Sequence, residues 1–254
     1  MKISMSARKL SLFAGFLISL TPNTNANEIS AKDTSASDRY MYIGGSVGIS
    51  EPVVKAFSDK DTGAKFRMKQ SRMMSAYVGY SFYPNMMIEI SAEYKPKYNF
   101  AYLLPATNFT PITPGRTQVS SNIYMLNLIY QADKELMGLK PYVTFGAGLA
   151  RINIKQATSS ADFFVAQRIN NGEFFRIKKN TVNCLAWQVG GGFVRELSEN
   201  IDIDFGMKLQ VVNDIKLKYD NLDQTTGAYA AQKPIKKTIG VGEFTLGFTF
   251  KLPV

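Results

Sequence analysis

Eight stretches of this chain alternate apolar and polar residues with a period of two, and the connections between them are alternately short and long. The stretches are residues 40–50, 72–82, 86–95, 119–130, 140–152, 181–194, 201–213 and 238–250. In the third, Ile88, Ile90, Ala92 and Tyr94 interleave with Glu89, Ser91 and Glu93. Such alternation marks a strand with one apolar and one polar face. The connections after the second, fourth and sixth stretches (83–85, 131–139, 195–200) are short. Those after the first, third, fifth and seventh (51–71, 96–118, 153–180, 214–237) are long. No helix-period segment recurs between them. The chain is therefore confined to an antiparallel sheet whose turns gather at one end and whose loops gather at the other.

The faces are consistent from strand to strand. One set reads Leu185, Trp187, Val189 and Phe193, then Ile203, Phe205, Met207 and Leu209, then Phe244, Leu246, Phe248 and Phe250. The opposite set reads Gln188, Gly190 and Gly192, then Asp202, Asp204, Lys208 and Gln210, then Glu243, Thr245 and Thr249. In a soluble barrel the apolar set would point inward; in a membrane barrel it faces lipid and the polar set lines the interior. Long structureless loops are uncommon in compact soluble domains. Short turns at one end and long loops at the other are the layout of outer-membrane barrels. Each stretch has about the 9–11 residues a tilted strand needs to cross a bilayer, or slightly more. A strand cannot cross lipid with an open edge, so the sheet must close. The expected fold is all-β: an eight-stranded antiparallel transmembrane β-barrel, with short periplasmic turns, long extracellular loops and both termini periplasmic. Glycine, serine and alanine on the polar face suit a cramped interior. Tyr40, Tyr42, Tyr80, Tyr83, Tyr94, Tyr130 and Tyr142, near strand ends, are expected in the aromatic girdles.

The start of the chain is read apart from the fold. Lys2, Arg8 and Lys9 precede the apolar run LSLFAGFLISL (10–20), and Thr24 and Ala26 stand at the small-residue positions of a cleavage site. This is the layout of a secretory signal peptide over residues 1–26, cleaved after Ala26. Residues 27–39 are polar and expected to be a disordered periplasmic segment, and residues 40–254 to be the barrel. The expected location is the bacterial outer membrane. The single cysteine, Cys184, excludes an internal disulfide.

Composition excludes much chemistry. There is no histidine, the usual general base of barrel enzymes that cleave or transfer acyl chains. Asp202 and Asp204 share a face but sit beside a turn of a barrel too narrow for a glycan. No enzymatic activity, metal site or cofactor is expected. The polar face predicts a lumen network of Glu89, Glu93, Asp202, Asp204, Lys208 and Glu243, in which Lys208 is the one cation. It reads either as a hydrated, hydrogen-bonded plug or as a narrow, weakly cation-preferring pore.

Thirty Lys and Arg against 20 Asp and Glu give a net charge of +10, and the four long loops hold more positive charge than the rest of the chain offsets. Such a rim suits polyanions: lipopolysaccharide phosphates or sulfated host glycans, rather than nucleic acid. In the third loop, Asn171-Gly172 is a type I′ hairpin signal. It would pair Ile169 with Phe174, Arg168 with Phe175 and Gln167 with Arg176. Phe163, Phe164, Phe174 and Phe175 beside Arg168, Arg176, Lys178 and Lys179 form a candidate aromatic-basic binding surface.

The segments YIGGSVGIS (42–50), GYSFYPNMMIEISAEY (79–94) and PYVTFGAGLARI (141–152) resemble the eight-stranded OmpA-type and Opa-like outer-membrane barrels. They are most similar to the small surface antigens and candidate adhesins of rickettsia-like intracellular bacteria. The resemblance implies a non-enzymatic surface protein whose loops bind a host cell-surface protein, a glycan or the envelope's own lipid. It also implies assembly by the barrel-assembly machinery. In this chain the aromatic alternation ending at Phe250 is followed by KLPV, so the terminal aromatic read by that machinery is displaced. Two other readings stay open, a small channel and a secreted soluble barrel that binds lipid inside.

Overall fold

A computed structural model describes residues 39–54, 56–58, 65–103, 115–160, 173–222 and 228–253. The expected signal peptide and most of the polar segment after it lie outside the described residues. Fourteen strands occur among the described residues: β1 (Tyr40–Pro52), β2 (Ala56–Ser58), β3 (Lys65–Met68), β4 (Ser71–Tyr83), β5 (Met86–Leu103), β6 (Gly115–Gln131), β7 (Lys140–Ile154), β8 (Ala157–Ser160), β9 (Glu173–Ile177), β10 (Asn180–Ser198), β11 (Ile201–Leu217), β12 (Tyr219–Leu222), β13 (Tyr229–Ala231) and β14 (Ile235–Pro253).

Eight of them close a ring. The strand β1 pairs with β4, followed in turn by β5, β6, β7, β10, β11 and β14, and β14 returns to β1, every pairing antiparallel. Closure leaves none of these eight strands with an open edge, the condition for crossing lipid. The connections β4–β5 and β10–β11 are two-residue turns, Pro84-Asn85 and Glu199-Asn200. The β6–β7 connection folds on itself: Leu136 and Leu139 exchange backbone hydrogen bonds at 2.8 and 3.1 Å. Met137 and Gly138 between them have φ of +55° and +75°, both positive as a type I′ turn demands.

The faces fall as the alternation implies. Ile43, Val47, Ile90, Leu126, Phe145, Leu149, Leu185, Phe205 and Phe248 are exposed on the outside. Glu93, Gln188, Gln210 and Glu243 are buried within. So large a continuous apolar exterior would be untenable in water, and around a polar lumen it is the band a bilayer covers. The tyrosines divide. Tyr83, Tyr94 and Tyr130 face outward and are exposed, and Tyr80 shares their side. Tyr40, Tyr42 and Tyr142 instead line the lumen, which corrects their expected place in the girdle. Ile43 is outward, so Tyr42 beside it must point in.

The strands are longer than the alternation suggested, and the long connections carry strand of their own. β5 runs on to Leu103 rather than stopping at Lys95, because a bulge between Lys95 and Tyr98 takes up Pro96. A bulge is one of the few places a strand accepts a proline. Beyond the ring, β2 and β3 extend the sheet along β5, while β13, β12, β9 and β8 form a second sheet at the long-loop end. Residues 167–172, on which the expected Asn171-Gly172 hairpin falls, lie outside the described residues. Phe175 pairs with Ser159 and Asn221, and Arg176 with Thr158 and Asp220. Both edges of β9 are filled at these two positions.

Candidate functional site

The lumen is layered along the barrel axis. At the long-loop end it is apolar: Ile123, Met125, Ile152, Ile154 and Cys184 pack with Ile177, Leu217 and Tyr219 in one buried cluster. Ile123 and Ile177 are 1% and 0% exposed, so this layer is dry and continuous with the second sheet above it.

Beneath lies a charged layer built by β5, β11 and β14. Lys95 Nζ stands 2.5 Å from Glu243 and 3.3 Å from Glu93 and donates to Gln210. Lys208 donates to Glu93 and lies 3.6 Å from the second oxygen of Glu243. The Gln210 amide donates to Glu93 at 2.9 Å and to Gln188 at 3.2 Å. Gln188 donates to Asn127 at 2.8 Å, and Asn127 to Glu89 at 2.9 Å and Ser91 at 3.0 Å. Ser50 bridges the Tyr98 hydroxyl at 2.6 Å and Glu243 at 3.3 Å. Two lysines against two carboxylates leave the layer neutral. The Gln210 amide and the Ser50 hydroxyl add one neutral donor each to Glu93 and Glu243, pairing of the kind that makes buried ions tolerable.

Towards the short turns the lumen opens into a cavity of about 120 Å³. Glu89 and Asp204 project into it. Glu89 also accepts from Tyr42 at 3.4 Å, and Asp204 from Tyr77 at 3.3 Å. At the rim Lys251 joins Asp202 at 2.9 Å and Glu196 at 3.1 Å, and Lys140 reaches Glu196 at 2.8 Å.

The six expected lumen residues thus all face inward. Glu89 is joined to Glu93, Lys208 and Glu243 through Asn127, Gln188 and Gln210, while Asp202 and Asp204 stand outside that hydrogen-bonded network. Glu93, Lys208 and Glu243 form the ion pairs of the charged layer, with Lys208 also bordering the cavity; Glu89 and Asp204 project into the cavity, and Asp202 lines it at the rim. Lys208 is not the sole inward cation, since Lys95 and Lys251 also point in. Lys95 continues the parity of Glu89, Ser91 and Glu93. That signal was present in the sequence, hidden by Pro96 directly after it. Of the expected loop surface, Phe163, Phe164 and Arg168 lie outside the described residues. Phe174 and Phe175 are in β9. Arg176 stacks over the Tyr229 ring at 4.0 Å and Lys178 pairs with Asp220 at 2.9 Å, so both have partners within the second sheet. Lys179 is exposed.

No protein-family model matches the chain. Among solved structures it is similar to the outer membrane protein OprG of Pseudomonas aeruginosa, at TM-score 0.49 and 18% identity over 85% of this chain and 96% of that one. It is also similar to Neisserial surface protein A, at TM-score 0.46 and 12% identity over 84% and 97%. The barrel itself rests on the closed strand pairing described above. In sequence it is 37% identical over 186 residues to the Uncharacterized protein RP788 of Rickettsia prowazekii (strain Madrid E), covering 71% of this chain and 99% of that one. The chain belongs to the family of that rickettsial protein, and its fold is the eight-stranded outer-membrane β-barrel.

Proposed function

We propose that the protein is a non-conducting surface protein of the outer membrane, with its long loops outside the cell, and that it engages a polyanion through them. The observation that carries this reading is the closed lumen. A charge-neutral layer and a dry apolar cluster lie in series across it, which argues against a passage for ions and for function at the loop end. There β8, β9, β12 and β13 hold the loops in a sheet, a shape able to present a fixed surface. Lys69, Lys97, Lys155, Lys179, Lys216 and Lys236 are exposed at that end. Anionic partners of matching charge are the sulfated glycans of a host cell and the phosphates of lipopolysaccharide. An adhesin role follows from the first of these, an envelope role from the second.

The test uses the full barrel in lipid nanodiscs, with binding to immobilised heparin and to lipopolysaccharide measured across a salt series. Charge reversal at Lys155, Lys179, Lys216 and Lys236 should abolish binding while the boiling-dependent gel mobility of the barrel persists. Unchanged binding would refute the loop assignment. Planar-bilayer recording addresses the channel reading, which has the polar cavity in its favour. Steady conductance that changes on neutralising Glu89 and Glu93 would establish a channel in place of a plug.

A further inference from the structure

The cavity near the short turns is more than space left by poor packing. Eight-stranded barrels are generally filled by side chains, yet here the large side chains lie flat against the wall. The Tyr42 ring covers Gly79, the Tyr77 ring covers Gly44, and the Asp204 carboxylate rests on Gly247. At each of these glycines a Cβ would strike the covering group. At Gly206 a Cβ would come 2.6 Å from the Thr245 hydroxyl oxygen and 2.7 Å from that of Tyr142. The glycines thus keep the centre of the lumen clear and turn three aromatic rings and a carboxylate towards it.

Charge is unbalanced at the same place. The charged layer above is neutral and Asp202 has Lys251, but no cation of the described residues lies within 4 Å of Glu89 or Asp204. Each carboxylate keeps only neutral donors, Asn127 and Tyr42 for Glu89, Tyr77 for Asp204. The Tyr142 hydroxyl, which faces the same space, has no hydrogen-bond partner among the described residues. Tyr42 and Tyr77 meet edge to face with centroids 6.3 Å apart, so the space is bounded by aromatic rings as well as by carboxylates. Asp202 and Lys208 also line the space but are paired with Lys251 and Glu93. The carboxylates of Glu89 and Asp204, with Tyr42, Tyr77 and the Tyr142 hydroxyl around about 120 Å³, match one ligand chemistry. An ammonium supplies the missing charge and the donors, and a short alkyl chain is attracted to the rings.

We propose that this cavity is a binding site for a small organic cation, a primary alkylammonium, entering from the short-turn side and held between Glu89 and Asp204. A metal ion suits the site less well, since hard divalent cations need six or more oxygen ligands or retained waters. No group of three or more metal-ligating side chains occurs among the described residues.

The test is a titration of the full barrel in maltoside micelles, whose headgroup carries no ammonium, followed by NMR of the tyrosine rings. The probes are n-butylammonium chloride, n-butanol and calcium chloride. Saturable shifts at Tyr42, Tyr77 and Tyr142 with butylammonium, and none with butanol, are expected. The double variant E89Q/D204N should weaken binding about tenfold or more, which is over 1.4 kcal/mol. G206V, which fills the space and leaves both carboxylates in place, should abolish it independently. The wild-type titration decides by itself if either variant fails to fold. Absent shifts, equal binding of butanol, or tight binding of calcium in place of butylammonium would each overturn the proposal.

Discussion

Replacing Lys95 by methionine, which keeps most of its volume, should be among the most damaging single changes in the lumen. Lys95 is 1% exposed and stands 2.5 Å from Glu243 and 3.3 Å from Glu93. Without it, two carboxylates that are themselves 1% or less exposed share Lys208 alone. Removing one partner of a buried ion pair costs about 3–5 kcal/mol, mostly as the penalty of the charge left behind. With a urea slope of about 2 kcal/mol per molar, the unfolding midpoint should fall by about 2 M. The assay is reversible urea unfolding in lipid vesicles, followed by the fluorescence of Trp187, the only tryptophan. The double variant K95M/E243Q removes the stranded charge along with its partner. It should recover part of the loss, with a coupling of about 0.5–3 kcal/mol. A loss below about 1 kcal/mol for K95M, or strict additivity in the double variant, would refute the view that the layer is a tightly satisfied cluster.

Three further changes probe other parts of the molecule. Ile90 is 62% exposed on the outer face of β5, and Ile90→Arg should cost about 2–4 kcal/mol in a bilayer if that face meets its middle. Equal stability of variant and parent in vesicles would remove the lipid assignment. Met137, at φ of +55°, holds a conformation that costs a non-glycine residue about 1–2 kcal/mol. Met137→Gly should therefore raise the urea midpoint by part of that amount, and a lowered midpoint would show that the turn depends on the side chain. Gly79→Val should lower stability by about 1–3 kcal/mol as the Tyr42 ring is displaced; an unchanged midpoint would mean that the ring does not lie where the cavity needs it.

Much of the barrel was legible because alternation needs only one residue and its neighbours to be read. Once Ile90 is outward, Glu89 and Glu93 must be inward, and the same parity carries through β10, β11 and β14. Legibility ended where pairing partners decide the outcome. Pro96 reads as a stop, and only the β6 partner across the bulge shows β5 continuing to Leu103. The strands β8, β9, β12 and β13 are three to five residues each and stand only because one loop lies beside another. The Asn171-Gly172 hairpin falls outside the described residues, and the partners of Phe175 in β9, Ser159 and Asn221, lie in other strands that no local signal names. Nor could composition divide the carboxylates between a neutral layer and an unbalanced cavity. That division depends on Lys95 reaching across the lumen from β5 to β14, a contact between residues far apart in the chain.

The pairing of β1 with β14 bears on how the protein comes into being. Tyr40 meets Pro253 and Pro52 meets Val241, thirteen facing positions in all, joining the first barrel strand to the last. Until that seam zips, the nascent sheet carries two unpaired borders, each able to template the strand of another molecule. Zipping requires ends separated by nearly the whole chain to meet, which makes it a slow and late event. The interval before it is when the polypeptide is most exposed to misassociation, and when an escort that shields a bare border matters most. After zipping, the borders vanish into each other and the finished cylinder has nothing left to template.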